Sequence, residues 1–452
     1  MQDSNQPINL NSGNVNERIG KYRWTICALL FFATTINYLD RNVISLLKSD
    51  LEVIFKWSES DYADIVIMFQ LSYALGMLLA GRFIDKVGTK LGYAVSLIIW
   101  SFASIGHAAV RSTLGFFIAR SVLGLSEAGN FPAAIKTTAE WFPKKERALA
   151  TGIFNSGANV GAILAPLTVP FLAAKYGWQE AFIITGAFGL IWLIFWFIFY
   201  TPPAKQKRLK KAEYDYIHSD LDEQQPAPAA LGSDAAKEKN VPWLTLLKYN
   251  QTWAFIFGKF LTDPIWWFFL FWLPAFLQAQ YGLTGTGIAI PIAVVYTMST
   301  VGSIFGGWLP LYFIKRGWPV FRARKTSMLI YASFVLPVVF AQLAGESNMW
   351  FAILIIGLAT ACHQAWSANI FTTVSDMFPK KTTASVTGLG GMAGALGGIL
   401  IAFTAGKLFD HFKMLGNIKT GYYIMFFICG FAYLIAWLVM HFLAPRLKRI
   451  DL

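Results

Sequence analysis

The sequence predicts an all-α membrane protein, twelve transmembrane helices arranged as two six-helix bundles. Three observations carry this. Of the 452 residues, 56% are hydrophobic and only 14% charged, against about 25% charged in an ordinary soluble domain. The apolar residues gather in runs of the length, about 20 residues, that crosses a bilayer as a helix. One segment of the first half also recurs in the second, EWFPKKERALATG at 140–152 and DMFPKKTTASVTG at 376–388, each between the fourth and fifth run of its half. A repeat at equivalent places in two halves argues for internal duplication.

The runs follow in order. A polar N-terminal tail, residues 1–22, precedes the first run at 23–47. The tail has no short apolar stretch with a cleavage site, so the runs themselves are expected to direct insertion. Runs at 60–82, 90–110, 114–137, 147–173 and 178–200 complete an N-terminal bundle over 23–200. Residues 201–250 form the one long polar stretch, a linker containing KQKRLKK, an acidic run and QQPAPAALGSDAAKEK. A short surface helix is expected there near Lys211–Leu221. Runs at 251–279, 287–313, 325–343, 349–373, 383–409 and 420–444 build the C-terminal bundle over 251–444, and a tail follows at 445–452. Each run is expected to be helical, since backbone polar groups in lipid have to be satisfied within the segment. Behind the two repeat copies stand GIFNSGANVGAILAP and GLGGMAGALGGIL, whose small residues let helices pack closely and slide.

The net charge of +13 reads as topology rather than as a nucleic-acid surface, because the basic residues lie in short clusters between the runs. With the N-terminus inside, most of the 38 lysines and arginines fall on the cytoplasmic side. Both termini are therefore expected in the cytoplasm, and the chain in the cell (inner) membrane. Cys27, Cys362 and Cys429 all fall inside apolar runs without metal-like spacing and read as packing residues. A membrane-embedded enzyme would need a clustered catalytic set. The chain offers no metal-ligand spacing, nucleophile elbow or phosphate loop. Asp40 and Glu127 could form a glycosidase-like carboxylate pair, but soluble domains normally host that chemistry. A channel or receptor fits less well, since charges in both related halves suit alternating access about a central site.

A charge at mid-membrane costs roughly 2.5–3.5 kcal/mol by insertion scales, so each one inside a run is a functional candidate. They are Asp40, Arg41, Arg120, Glu127, Lys259, Asp263 and His363. Arg41 is the first choice to anchor a carboxylate, because its planar fork binds bidentately and stays charged. Tyr38, three positions earlier, shares its helical face, and Tyr73 could join them from the second run. Arg120 and Glu127 stand seven apart, roughly 10 Å along a helix, so each needs another partner. For Arg120 that is Asp40 or a substrate, and Glu127 could titrate alone. A carboxyl that gains or loses an arginine during a conformational change can carry a proton. Lys259 and Asp263, at i,i+4 before Pro264, read either as a simple ion pair or, with Trp266 and Trp267, as a surface for sugar hydroxyls. His363 and Gln364 could bond the same hydroxyls, or His363 could be a packing residue. Asn155 and Asn159 share a face of the fifth run as weaker candidates.

Residues 81–90, GRFIDKVGTK, resemble the G-x-x-x-D-[RK]-x-G-x-[RK] signature of the major facilitator superfamily, matching at Gly81, Asp85, Lys86, Gly88 and Lys90. The resemblance implies a loop that stabilises the outward-open state without touching substrate. Its counterpart in the second half, GGWLPLYFIKRGWPVFRARK, lacks the Asp. YLDR in the first run, Tyr73, and ARSVLGLSEAGNFPA in the fourth look like the anion:cation symporters, and within them the bacterial hexuronate transporters, which move glucuronate and galacturonate. GTKLGYA, WQEAFIITGAFGLIW, KFLTDPIW, HQAWSA and the long stretch around the first repeat copy carry the same likeness. What this implies is proton-coupled uptake of a sugar-acid monoanion by a monomer in the bilayer. No cofactor is implied beyond the proton as coupling ion. Tyr38, Arg41 and Tyr73 would bind substrate, and Asp40 and Glu127 would couple protons. Some hexuronate carriers have a neutral residue at the Asp40 position, which favours Glu127. An aldonate or another organic anion is the alternative; Ala158 and Gly391 stand where aldonate carriers have Gln and Asn.

Overall fold

The computed structural model describes residues 19–57, 59–219, 241–283, 287, 289–446 and 448–450. Most of the expected N-terminal tail, the acidic and Pro/Ala-rich part of the linker, and the last two residues lie outside the described residues.

The N-terminal half holds α1 (Tyr22–Leu46), α2 (Lys48–Phe55), α3 (Glu59–Val87), α4 (Thr89–Gly106), α5 (Thr113–Glu127), α6 (Asn130–Trp141), α7 (Lys144–Tyr176) and α8 (Trp178–Phe199). Two short helices, α9 (Lys211–Ile217) and α10 (Trp243–Leu246), belong to the linker. The C-terminal half holds α11 (Asn250–Tyr281), α12 (Ala289–Lys315), α13 (Val320–Val335), α14 (Ala341–Ser347), α15 (Met349–Met377), α16 (Lys380–Met414) and α17 (Ile418–Leu443). Residues such as Phe102, Phe171, Ile194 and Phe403 stand exposed on the outer faces, where lipid would meet them. Cys27, Cys362 and Cys429 are buried and free.

Among the described residues, nine helices are long and apolar enough to cross a membrane. The three remaining runs, the first, fourth and seventh, are those that carry Asp40 and Arg41, Arg120 and Glu127, and Lys259 and Asp263. For the fourth the reason is length, since it is two helices of 15 and 12 residues. The fourth run also differs from expectation in being two helices, α5 and α6, broken at Ala128–Gly129. The ninth narrows to a 3-10 turn at Leu336–Phe340, where Pro337 cannot continue the α-helical ladder.

The halves meet along two crossings, α7 on α12 and α3 on α16. Each is built on glycine. A Cβ on Gly152 would stand 2.2 Å from the Ser303 carbonyl oxygen, and one on Gly307 would stand 2.3 Å from that of Ala148. At the other crossing a Cβ on Gly388 would meet Met77 O at 2.2 Å, and one on Gly81 would meet Ala384 O at 2.3 Å. Gly152 and Gly388 are the closing residues of the two repeat copies. The repeat therefore encodes matching points of backbone contact.

The face that bears the 81–90 loop is sealed between the halves. Asp85 accepts from Lys136 Nζ at 2.9 Å and from the backbone N–H groups of Ala384 and Ser385 at 3.3 and 2.6 Å. A carboxylate near the start of α16 is stabilised by the helix dipole as well. Gly88, with φ of +86°, makes the turn into α4, whereas Lys86 is exposed and Lys90 lies over the Phe197 ring. An arginine from each half adds to the seal. Arg324 pairs with Asp376 and donates to Lys144 O at 2.6 Å, and Arg147 donates to Ser375 O at 2.7 Å. On the same face, α9 docks on the N-terminal half through buried Glu213, which accepts from the backbone N–H groups of Tyr22 and Arg23, both at 3.1 Å.

Candidate functional site

A cavity of about 70 Å³ lies between the two halves, lined from both. The N-terminal half contributes Tyr38, Arg41, Tyr73 and Asn155, and the C-terminal half contributes Lys259, Asp263, Trp266, His363 and Gln364. Nine of the ten substrate-binding candidates thus share one wall system; Arg120 does not line it. Gly391 does, and Ala158 does not.

Arg41 is held on several sides. Its guanidinium carbon lies 4.7 Å from the ring centroids of both Tyr38 and Tyr73 and 5.2 Å from that of Phe69. Nε donates to Glu127 Oε2 at 3.0 Å, and an η nitrogen donates to Asn37 Oδ1 at 3.2 Å. Asn37 and Tyr38 sit one turn before Arg41 on α1, so helix geometry alone brings them beside it. Glu127 ends α5, and α5 comes close to α3 at Gly124, where a Cβ would stand 2.5 Å from Phe69 O. Glu127 is fully buried and lies behind Arg41, off the cavity. Its Oε1 has no hydrogen-bond partner among the described residues.

Arg120 spans the gap from behind. Its two η nitrogens donate to the Arg41 carbonyl at 3.4 and 3.3 Å, and its guanidinium lies 4.5 Å from the Phe69 centroid. It orders the α1 backbone beneath the site. Asp40 points about 100° round the helix from Arg41 and away from the cavity. It is fully buried, takes a bond from Ser104 Oγ at 3.3 Å, and leaves Oδ2 without a hydrogen-bond partner among the described residues.

On the opposite wall Lys259 Nζ lies 2.6 Å from Asp263 Oδ2 and 4.0 Å from the Phe371 centroid. This is an intrahelical ion pair, and both of its members line the cavity. His363 stacks on Trp266, with centroids 5.2 Å apart, and its Nδ1 bonds the hydroxyl of Tyr433, which reaches Thr262 O at 3.3 Å. Gln364 crosses between halves, accepting from Asn155 Nδ2 at 2.8 Å and donating to Asn159 at 3.4 Å. The sequence reading missed Asn37, whose i,i+4 spacing to Arg41 was the available signal. It also missed Tyr433, which carries none.

The model of the Major Facilitator Superfamily matches residues 30–402. The chain belongs to that superfamily. It is 33% identical over 393 residues to a hexuronate transporter of Escherichia coli (strain K12), covering 87% of this chain and 89% of that one. To a galacturonate transporter of Dickeya chrysanthemi it is 34% identical over 298 residues, 66% of this chain and 84% of the other. Among solved structures it superposes on a proton:xylose symporter with a TM-score of 0.74 at 15% identity, covering 94% of this chain and 97% of that one. This is a multi-pass membrane transporter of the major facilitator superfamily and not an enzyme.

Proposed function

We propose that this major facilitator takes up a sugar-acid monoanion, a hexuronate such as glucuronate or galacturonate, together with protons. It would act as a monomer in the inner membrane, with both termini cytoplasmic. The observation that carries the reading is the state of Arg41, a buried cation on the cavity wall whose one acidic partner among the described residues, Glu127, sits behind it. A substrate carboxylate competes with Glu127 for the guanidinium. When the substrate wins, Glu127 is left buried without its cation, and a proton neutralises it. Binding of the anion and uptake of a proton are then one event. The ring hydroxyls fall to the polar side chains of the C-terminal wall. Asp40, with no cation in hydrogen-bond reach among the described residues, is the second position for a proton. The names of the relatives support the sugar acid, and the closed basic face supports alternating access.

The test is uptake by the purified protein in liposomes under an imposed pH gradient, competed by a panel of sugar acids. Galacturonate and glucuronate are expected to accumulate, to lose accumulation with a protonophore, and to be ignored by neutral galactose. Accumulation untouched by the protonophore would remove the proton from the mechanism. Stronger competition by an aldonate than by either uronate would move the substrate to that class.

A further inference from the structure

The cavity has a cation on each wall, and each is matched by a carboxylate, yet the two pairs are built differently. Glu127 lies behind Arg41, off the cavity. Asp263 is itself a lining residue, its side chain retaining 19% exposure while Lys259 retains 5%. The fold makes room for that carboxylate. Gly394 of α16 faces it, and a Cβ there would come within 2.2 Å of Asp263 Oδ2. A ligand reaching the N-terminal wall therefore meets a cation. A ligand reaching the C-terminal wall meets a lysine and a carboxylate side by side.

We propose that Asp263 restricts this site to sugar acids with a single carboxylate; this rests on the sugar-acid reading above. The carboxylate of the substrate goes to Arg41. Its far end presents hydroxyls, and a hydroxyl can donate to Asp263 and accept from Lys259 at once. A dicarboxylate of the same carbon skeleton would set its second carboxylate against Asp263. Like charges facing each other in a partly desolvated site repel strongly, and specificity gained by such repulsion needs no further contact to the preferred substrate. Without the Asp263 charge, Lys259 becomes a second carboxylate anchor opposite Arg41. One side chain thus separates a monoanion site from a dianion site.

The experiment measures competition against labelled galacturonate in the purified, reconstituted protein, with galactarate, the matching dicarboxylate, as probe. In the wild type, galactarate is expected to compete at least about tenfold less well than galacturonate. Asp263→Asn is expected to narrow or invert that ratio by about tenfold, and Asp263→Glu to keep it. Lys259→Gln combined with Asp263→Asn is expected to lose the gain, because the unmasked cation is gone. Equal competition by galactarate in the wild type overturns the inference, and so does an Asp263→Asn protein that takes galacturonate and still refuses galactarate. If Asp263→Asn does not fold, the wild-type ratio and Asp263→Glu decide. A wild type that binds no uronate but takes another sugar acid overturns the hexuronate reading alone, and the ratio is then measured between that acid and its dicarboxylate.

Discussion

Arg41 lies between the rings of Tyr38 and Tyr73 with Nε on Glu127, and this geometry sets what each substitution does. Lysine at position 41 keeps the charge but loses the fork and the flat face that stacks on the rings. Charge-assisted hydrogen bonds are worth about 1.5–3 kcal/mol each, so Arg41→Lys is expected to weaken uronate binding by about tenfold or more. Titration calorimetry on purified, folded protein checks this, and unchanged affinity would remove Arg41 as the anchor. Glu127→Gln imitates the protonated side chain permanently. The variant is expected to bind uronate and exchange it in counterflow, yet fail to accumulate it under a pH gradient, because the return step needs the proton to leave. Gradient-driven accumulation at the wild-type level would shift the coupling role to Asp40 or His363.

At the scale of helices, the two crossings at Gly152–Gly307 and Gly81–Gly388 decide whether the basic face can close. The atoms opposing these glycines are backbone carbonyls of the other half, which cannot swing aside as a side chain can. Gly388→Leu is therefore expected to hold the halves apart on that face and to cut transport to below about a tenth. Gly406→Ala, a change on the same helix where a new Cβ meets nothing within 4 Å, is expected to be nearly neutral. Transport assays on both, with expression and monodispersity checked, separate a closure defect from a folding defect. Normal transport by Gly388→Leu would mean that the crossing opens more widely than its backbone contacts indicate. The broken fourth run belongs to this scale too. Its break at Ala128–Gly129 follows Glu127 directly, so the residue that holds Arg41 sits where the helix ladder is interrupted.

For the molecule as a whole, sidedness follows from charge. Ser219 and Ser347 are both exposed, one after α9 on the basic face and one at the end of α14. With cysteine placed singly at each, in a background lacking Cys27, Cys362 and Cys429, an impermeant thiol reagent is expected to label position 347 and not 219 in intact cells. The reverse pattern would invert the topology. The seal on the basic face joins the halves through Asp85 on one side and through Arg147, Arg324 and Asp376 on the other. The loop signature accounts for the first of these. The second includes Arg324, in the C-terminal segment that lacks the Asp of that signature.

The sequence by itself determined the class, the helices, the duplication, and which side chains were candidates. These depend on local properties: run length, hydropathy, basic bias, and the cost of a charge in lipid. It also placed Tyr38 beside Arg41, because three residues on a helix share a face. Only the tertiary structure decided which charges work together. Arg120 and Glu127 share a helix and both meet Arg41, one at its carbonyl and the other at its guanidinium; Asp40 and Arg41 are adjacent in sequence yet point about 100° apart around α1 and meet different partners. Nothing local could show that Glu127 lies behind Arg41 while Asp263 looks into the cavity, or that Tyr433 fixes His363. Those relations arise where separate helices pack, and the distance between two side chains on different helices is set by the glycines at their crossings rather than by either sequence alone.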